Sequence, residues 1–193
     1  YFKDAFKKSN LPSDHYGLAL ALNKNNEFEN SISVINDLID RFPKNLILNT
    51  TRVEIYLNAG LYQEASNHVD EFLSISPGNY PLTITKAKIL NETGEYFAAE
   101  ELLREQLLKR NGDPYLWLLL SDIQRDGKNV VGYYQSKAEY HFLLGQYEEA
   151  ISQLEFALQL TKNNFQVSES VMTKIIDIKN KIIAMINKTV PNV

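Results

Sequence analysis

The stretch NAGLYQEA, residues 58–65, returns as ETGEYFAA at 92–99 and as LLGQYEEA at 143–150. Each copy has the form x-x-Gly-x-aromatic-x-x-Ala. Gly60 and Gly94 lie 34 residues apart, and Asn26 stands another 34 before Gly60. Gly and Asn are the residues that close a helix in the left-handed conformation. An aromatic follows each of them by two positions (Phe28, Tyr62, Tyr96), and a small residue follows by five (Ser31, Ala65, Ala99). A motif that recurs at this period marks a stacked structural unit instead of a catalytic sequence.

Working outward, each unit reads as helix, tight turn, helix. Pro43 and Pro77, again 34 apart, close the second apolar run, because proline disfavours helix in the residue before it. Small residues at Ala19, Val53, Ala87 and Ala138 precede the turns by seven positions and would face Ser31, Ala65, Ala99 and Ala150. Facing small side chains let antiparallel helices approach closely. In the second helices, Ile32, Ile35, Leu38 and Ile39, and then Val69, Phe72 and Leu73, form one-sided apolar stripes that would bury against the next unit.

The copy at Gly145, Tyr147 and Ala150 lies 51 residues after its predecessor, one period plus a half. The inserted segment PYLWLLLSDIQRDG reads as a first-type helix. Its partner is residues 129–144, a helix that also opens the hairpin ending near Leu160. Beyond it, Val167, Val171, Ile175, Ile178, Ile182 and Ile186 trace a long amphipathic helix, with Lys174, Lys179, Lys181 and Lys188 at polar positions, which would cap the array.

Composition narrows the function. In 193 residues the net charge is −4, with charges of both signs intermixed, which leaves no electrostatic footprint for nucleic acid. There is no cysteine, so disulfides and thiolate metal sites are excluded. The longest apolar run, Leu116 to Leu120, is far shorter than a membrane span requires. No signal sequence opens the chain, and the start at Tyr1 reads as a cut from a longer protein.

The 34-residue hairpin with Gly, aromatic, Ala and closing Pro resembles the tetratricopeptide repeat over about residues 12–160. The resemblance implies an all-α superhelix of about four and a half repeats. Its expected divisions are a linker end at 1–11, repeats at 12–45, 46–79, 80–113, 114–130 with the shared helix 129–144, and 145–160, then the capping helix and tail at 161–193. HYGLALALNKNNEFENSISVI near the start, the half-repeat insertion, GYYQSKAEYHFLLGQYEEAISQLEFAL and the closing helix together are similar to the repeat region of periplasmic β-barrel assembly-enhancing zinc metalloproteases. That narrower resemblance implies a non-catalytic companion to an upstream protease domain, a periplasmic location, and a role in outer-membrane protein assembly. The partners it implies are the β-barrel assembly machinery or unfolded polypeptide. Zinc would belong to the parent, because H-E-x-x-H is absent here and the chain offers no cofactor site of its own. The alternative is a stand-alone adaptor for a peptide or protein.

Candidate binding residues follow from the repeat register. First-helix positions that do not pack on the partner helix would line a concave surface. They are Tyr16, Leu20, Asn23, Thr50, Glu54, Asn58, Ile84, Lys88, Asn91, Tyr115, Asp122 and Arg125. Such a mixture of polar and aromatic side chains suits peptide recognition. Tyr16 and Thr50 stand where the chaperone-tail subclass of this family would place Lys and Asn, so that clamp is not expected. His15, His68 and His141 read as packed or hydrogen-bonded helix residues. The pairs Glu100 and Glu101, and Glu148 and Glu149, read as solvated surface. Sequons at Asn49, Asn91 and Asn187 match a pattern common by chance.

Overall fold

The computed structural model describes residues 11–161 and 164–189, with side chains as far as 185. Among the described residues all regular structure is α-helical. The helices run α1 (Pro12–Lys24), α2 (Phe28–Arg41), α3 (Leu46–Asn58), α4 (Tyr62–Ile75), α5 (Tyr80–Glu92), α6 (Tyr96–Lys109), α7 (Pro114–Asp126), α8 (Val130–Leu143), α9 (Tyr147–Leu160) and α10 (Phe165–Thr189). They form two compact units, Tyr1–Thr93 and Gly94–Val193. Within each unit every helix packs on the next one along the chain.

Two kinds of turn alternate. Inside the hairpins a single left-handed residue reverses the chain: Asn26 (φ 60°), Gly60 (φ 72°) and Gly145 (φ 77°); Gly94 (φ 81°), at the start of the second unit, has the same conformation. The residue after it donates its N–H five positions back, as Leu61 does to the Tyr56 carbonyl (2.8 Å) and Gln146 to that of His141 (2.9 Å). Lys128 takes the same conformation (φ 60°) between α7 and α8. It lies one further 34-residue step beyond Gly94, so the regular period runs one repeat longer than the Gly pattern indicates. Between hairpins the chain re-enters helix through a side-chain cap, again at 34-residue intervals. Asn45 accepts from the Ile47 and Leu48 amides, Asn79 from that of Leu82, and Asp113 from that of Tyr115.

The predicted small residues are all in the interior: Ala19, Val53, Ala87, Ala138, Ser31, Ala65, Ala99 and Ala150 expose 3% or less of their surface. In the first unit Ala19, Ile35, Leu38, Leu48 and Ile55 form one apolar cluster, and Val53, Ala65, Val69, Leu82 and Ile89 another. In the second unit α8 packs on both α7 and α9. Ala138, Ala150, Leu154 and Ala157 meet Val171, Ile175 and Ile178 of α10, with Val167 and Ile182 half-buried against the same cluster. The side chains of Ile186, Asn187 and Lys188 lie outside the described residues.

Two sequence expectations are corrected. Ile84, assigned to the binding face, is buried (7% exposed), because it lies on the packed side of α5 beside Thr83 and Ala87. Glu100, read as solvated surface, has a side chain only 13% exposed. It accepts hydrogen bonds from Gln124 and Asn129.

Candidate functional site

In the first unit, α1 and α3 are joined by two side-chain bridges. Tyr16 Oη lies 3.1 Å from Thr51 Oγ1, and Asn58 Nδ2 donates to Asn23 Oδ1 at 3.2 Å. Each pair is 35 residues apart, one more than the period, so equivalent helices meet with a one-residue stagger. Thr50 does not join this ladder, since its hydroxyl donates back to the Leu46 and Ile47 carbonyls of its own helix (2.9 and 3.0 Å). Glu54 and Lys88 are exposed, Leu20 is 40% exposed, and Asn91 is half-buried. Beside this ladder, Pro12, Tyr16, Leu38, Phe42, Ile47 and Leu48 wall an apolar cleft of about 380 Å³.

In the second unit Tyr115 is 44% exposed on α7. Arg125 Nη1 donates to Asp122 Oδ1 (2.9 Å) and its Nε to Asp126 Oδ1 (3.2 Å). The hydrogen bond it donates to Asp126, with the charge of Asp122 behind it, raises the pKa of the guanidinium above its usual value.

The three histidines are held by hydrogen bonds. His15 is buried, with Nδ1 3.1 Å from the Leu11 carbonyl, and His141 Nδ1 lies 2.7 Å from Gln146 Oε1. His68 stacks on Tyr56 (centroids 5.6 Å apart), and its Nδ1 lies 3.0 Å from Arg52 Nη2. Burial and the Arg52 charge lower its pKa. Asn49 is 2% exposed and donates to the Pro43 and Asn45 carbonyls, which makes that sequon a structural residue. Among the described residues no group of three or more His, Asp or Glu side chains is arranged to hold a metal ion. No described helix is long and apolar enough to cross a membrane.

One polar network escaped the sequence reading. Glu100 of α6 accepts from Gln124 Nε2 (3.1 Å), from Asn129 Nδ2 (3.2 and 3.3 Å to its two oxygens) and from Arg104 Nη2 (3.3 Å). Gln124 is fully buried. The signal was a polar residue set in the apolar stripe of Leu116, Leu120 and Ile123.

Family models described as tetratricopeptide repeat match residues 56–123 and 131–164, together just over half of the chain. The chain is a tetratricopeptide-repeat protein. The second match spans α8 and α9, and so takes α8 as a first helix. Among solved structures, a MamA fragment from Desulfovibrio magneticus RS-1 is 13% identical, with a TM-score of 0.60 over 90% of this chain and 97% of that one. YrrB, described as a TPR protein with an unusual peptide-binding site, is 15% identical, with a TM-score of 0.57 over 98% of each chain. A tetratricopeptide repeat protein from Parabacteroides merdae ATCC 43184 is 14% identical, with a TM-score of 0.57 over 91% of this chain and 75% of that one. At these identities the likeness is one of fold. Comparison with curated proteins gave no match. Tetratricopeptide repeats are protein-interaction scaffolds, and the fold is typically non-catalytic.

Proposed function

We propose that this tetratricopeptide segment binds an extended peptide or protein partner through the first-helix face of its first unit. The supporting observation is the ladder between α1 and α3. Tyr16 to Thr51 and Asn23 to Asn58 fix neighbouring first helices side by side, leaving Glu54 and Leu20 exposed next to them. A rigid polar strip with an aromatic at one end binds without a large ordering cost. The test is to select displayed peptides on the whole chain and measure their affinity for Glu54→Lys and Leu20→Asp. Both exposed substitutions should leave the melt unchanged and weaken binding; selected peptides that bind both variants normally would refute the assignment of this face.

The finer proposal is that the segment accompanies an upstream zinc metalloprotease domain in the periplasm and serves outer-membrane protein assembly. Its support is the likeness of HYGLALALNKNNEFENSISVI and GYYQSKAEYHFLLGQYEEAISQLEFAL to the repeats of that family. Zinc and catalysis belong in this proposal to the upstream domain. A coding sequence without an upstream H-E-x-x-H helix would remove it and leave the stand-alone adaptor.

A further inference from the structure

The second unit contains a polar cleft of about 240 Å³ that the first-helix face does not use. Trp117 and Gln124 of α7, Gln135, Ser136 and Glu139 of α8, and Lys174 of α10 are among its walls. Gln124 reaches this position because residue 132 is glycine. A Cβ there would sit 2.7 Å from Gln124 Nε2 and 2.6 Å from Asn129 Nδ2. The bond from Nε2 to Glu100 fixes which end of the amide is which, and Gln124 Oε1 is left buried without a hydrogen-bonding partner. A fully buried acceptor in that condition is rare in a folded protein and demands an explanation, of which a donor entering the cleft is one.

Charge and shape define the donor. Arg104, at the rim, is paired with Glu100 at 3.3 Å, and Lys174 with Glu139 at 2.9 Å, so each cation already has its counter-charge. An anionic or cationic ligand would have to break one of these pairs. The indole Nε1 of Trp117 donates to the Asn111 carbonyl (2.8 Å), which holds the ring as a fixed wall. Gln135 and Ser136 bring groups able both to donate and to accept. An amide, with one N–H side and one carbonyl side on a flat uncharged plate, matches this lining.

We propose that the cleft between α7, α8 and α10 is a second recognition site, one that takes an uncharged amide group of an extended peptide. It rests on the peptide-binding reading above but uses different residues. The amide N–H is given to Gln124 Oε1, and the amide carbonyl faces Gln135 and Ser136.

The test is a titration of the whole ¹⁵N-labelled chain with three blocked tripeptides: acetyl-Ala-Gln-Ala-amide, acetyl-Ala-Leu-Ala-amide and acetyl-Ala-Glu-Ala-amide. Saturable shifts of the Gly132 amide and the Gln124 side-chain amide with the Gln peptide alone would assign the site to a side-chain carboxamide. Equal shifts with the Leu peptide would assign it to the backbone amide. Gln124→Met should weaken either response by about tenfold, the loss of one hydrogen bond. Gln135→Ala, on the half-buried face of α8, should weaken it as well, and it serves as the variant if Gln124→Met does not fold. A cleft that holds water only, seen as no shift with any peptide, would overturn the proposal. So would a response to the Glu peptide alone, or an affinity unchanged in both variants. Glu54→Lys should leave these shifts untouched, so failure of the cleft and failure of the first-helix face give different results.

Discussion

Ser31 Oγ donates to the Ala19 carbonyl across the first hairpin at 2.8 Å, and both residues are fully buried. At the equivalent places of the other hairpins Ala65, Ala99 and Ala150 stand in for Ser31. The site therefore tolerates one extra buried polar atom when the facing carbonyl receives it.

Ser31→Ala should cost about 1 kcal/mol, the net worth of one buried hydrogen bond. Ala65→Leu at the equivalent point should cost about 1–3 kcal/mol through overpacking. Urea melts of the two variants should show this order, with the larger loss at residue 65.

Gly60 and Lys128 sit in the same conformation, φ 72° and 60°, with different side chains. Gly60→Val should destabilise by about 1 kcal/mol or more, and the cost is conformational, since no atom lies within 4 Å of a Cβ built there. Lys128→Gly should stabilise by up to about 1 kcal/mol, because a side chain in the left-handed region is strained. Opposite shifts in thermal midpoint would verify that both residues are helix-closing positions.

Acid should weaken the first unit through His68. Its folded pKa lies below the ordinary value of 6.5, from burial first and the Arg52 charge second, partly offset by Glu71. The unfolded chain thus takes up the proton more readily. The stabilisation is fully present above pH 6.5 and is lost as pH falls through the lowered folded value. His68→Gln should flatten the pH dependence of the melt in that window; an unchanged slope would rule out this coupling.

Glu100→Ala should cost about 2 kcal/mol, because it leaves the buried Gln124 amide nitrogen without its acceptor and releases Asn129. Hydrogen exchange at Gly132, whose amide donates to Asn129 Oδ1 (3.1 Å), should speed up in this variant.

The hairpins were legible in the sequence where backbone chemistry forced a residue choice. Gly60, Gly94, Gly145 and Asn26 are readable because few other residues accept positive φ cheaply. Lys128 was not, since it accepts the strain and carries no glycine to announce it. Ile84 was misassigned because an apolar residue beside the binding face can turn to the core with a small rotation of its helix. Thr51 makes the bridge to Tyr16, and neighbouring Thr50 bonds its own helix, because the register between neighbouring helices is 35 where the repeat is 34. The Glu100 network was hidden for a different reason. A carboxylate on a helix usually faces water, and only the three-dimensional meeting of α6 with the turn at Asn129 turns it into an acceptor for buried amides.

The double duty of α8 sets where this protein can be cut. The α3–α4 hairpin begins at the capped turn of Asn45 and ends at that of Asn79, and an engineer could duplicate it as a cassette. From Pro114 onward the 34-residue spacing of these caps is broken, since the next one is Asn129 at the start of α8. Removing α9 and α10 would strip the cover from Ala138, and removing α7 would uncover the other flank of the same helix, so this end of the chain must be inherited as one piece.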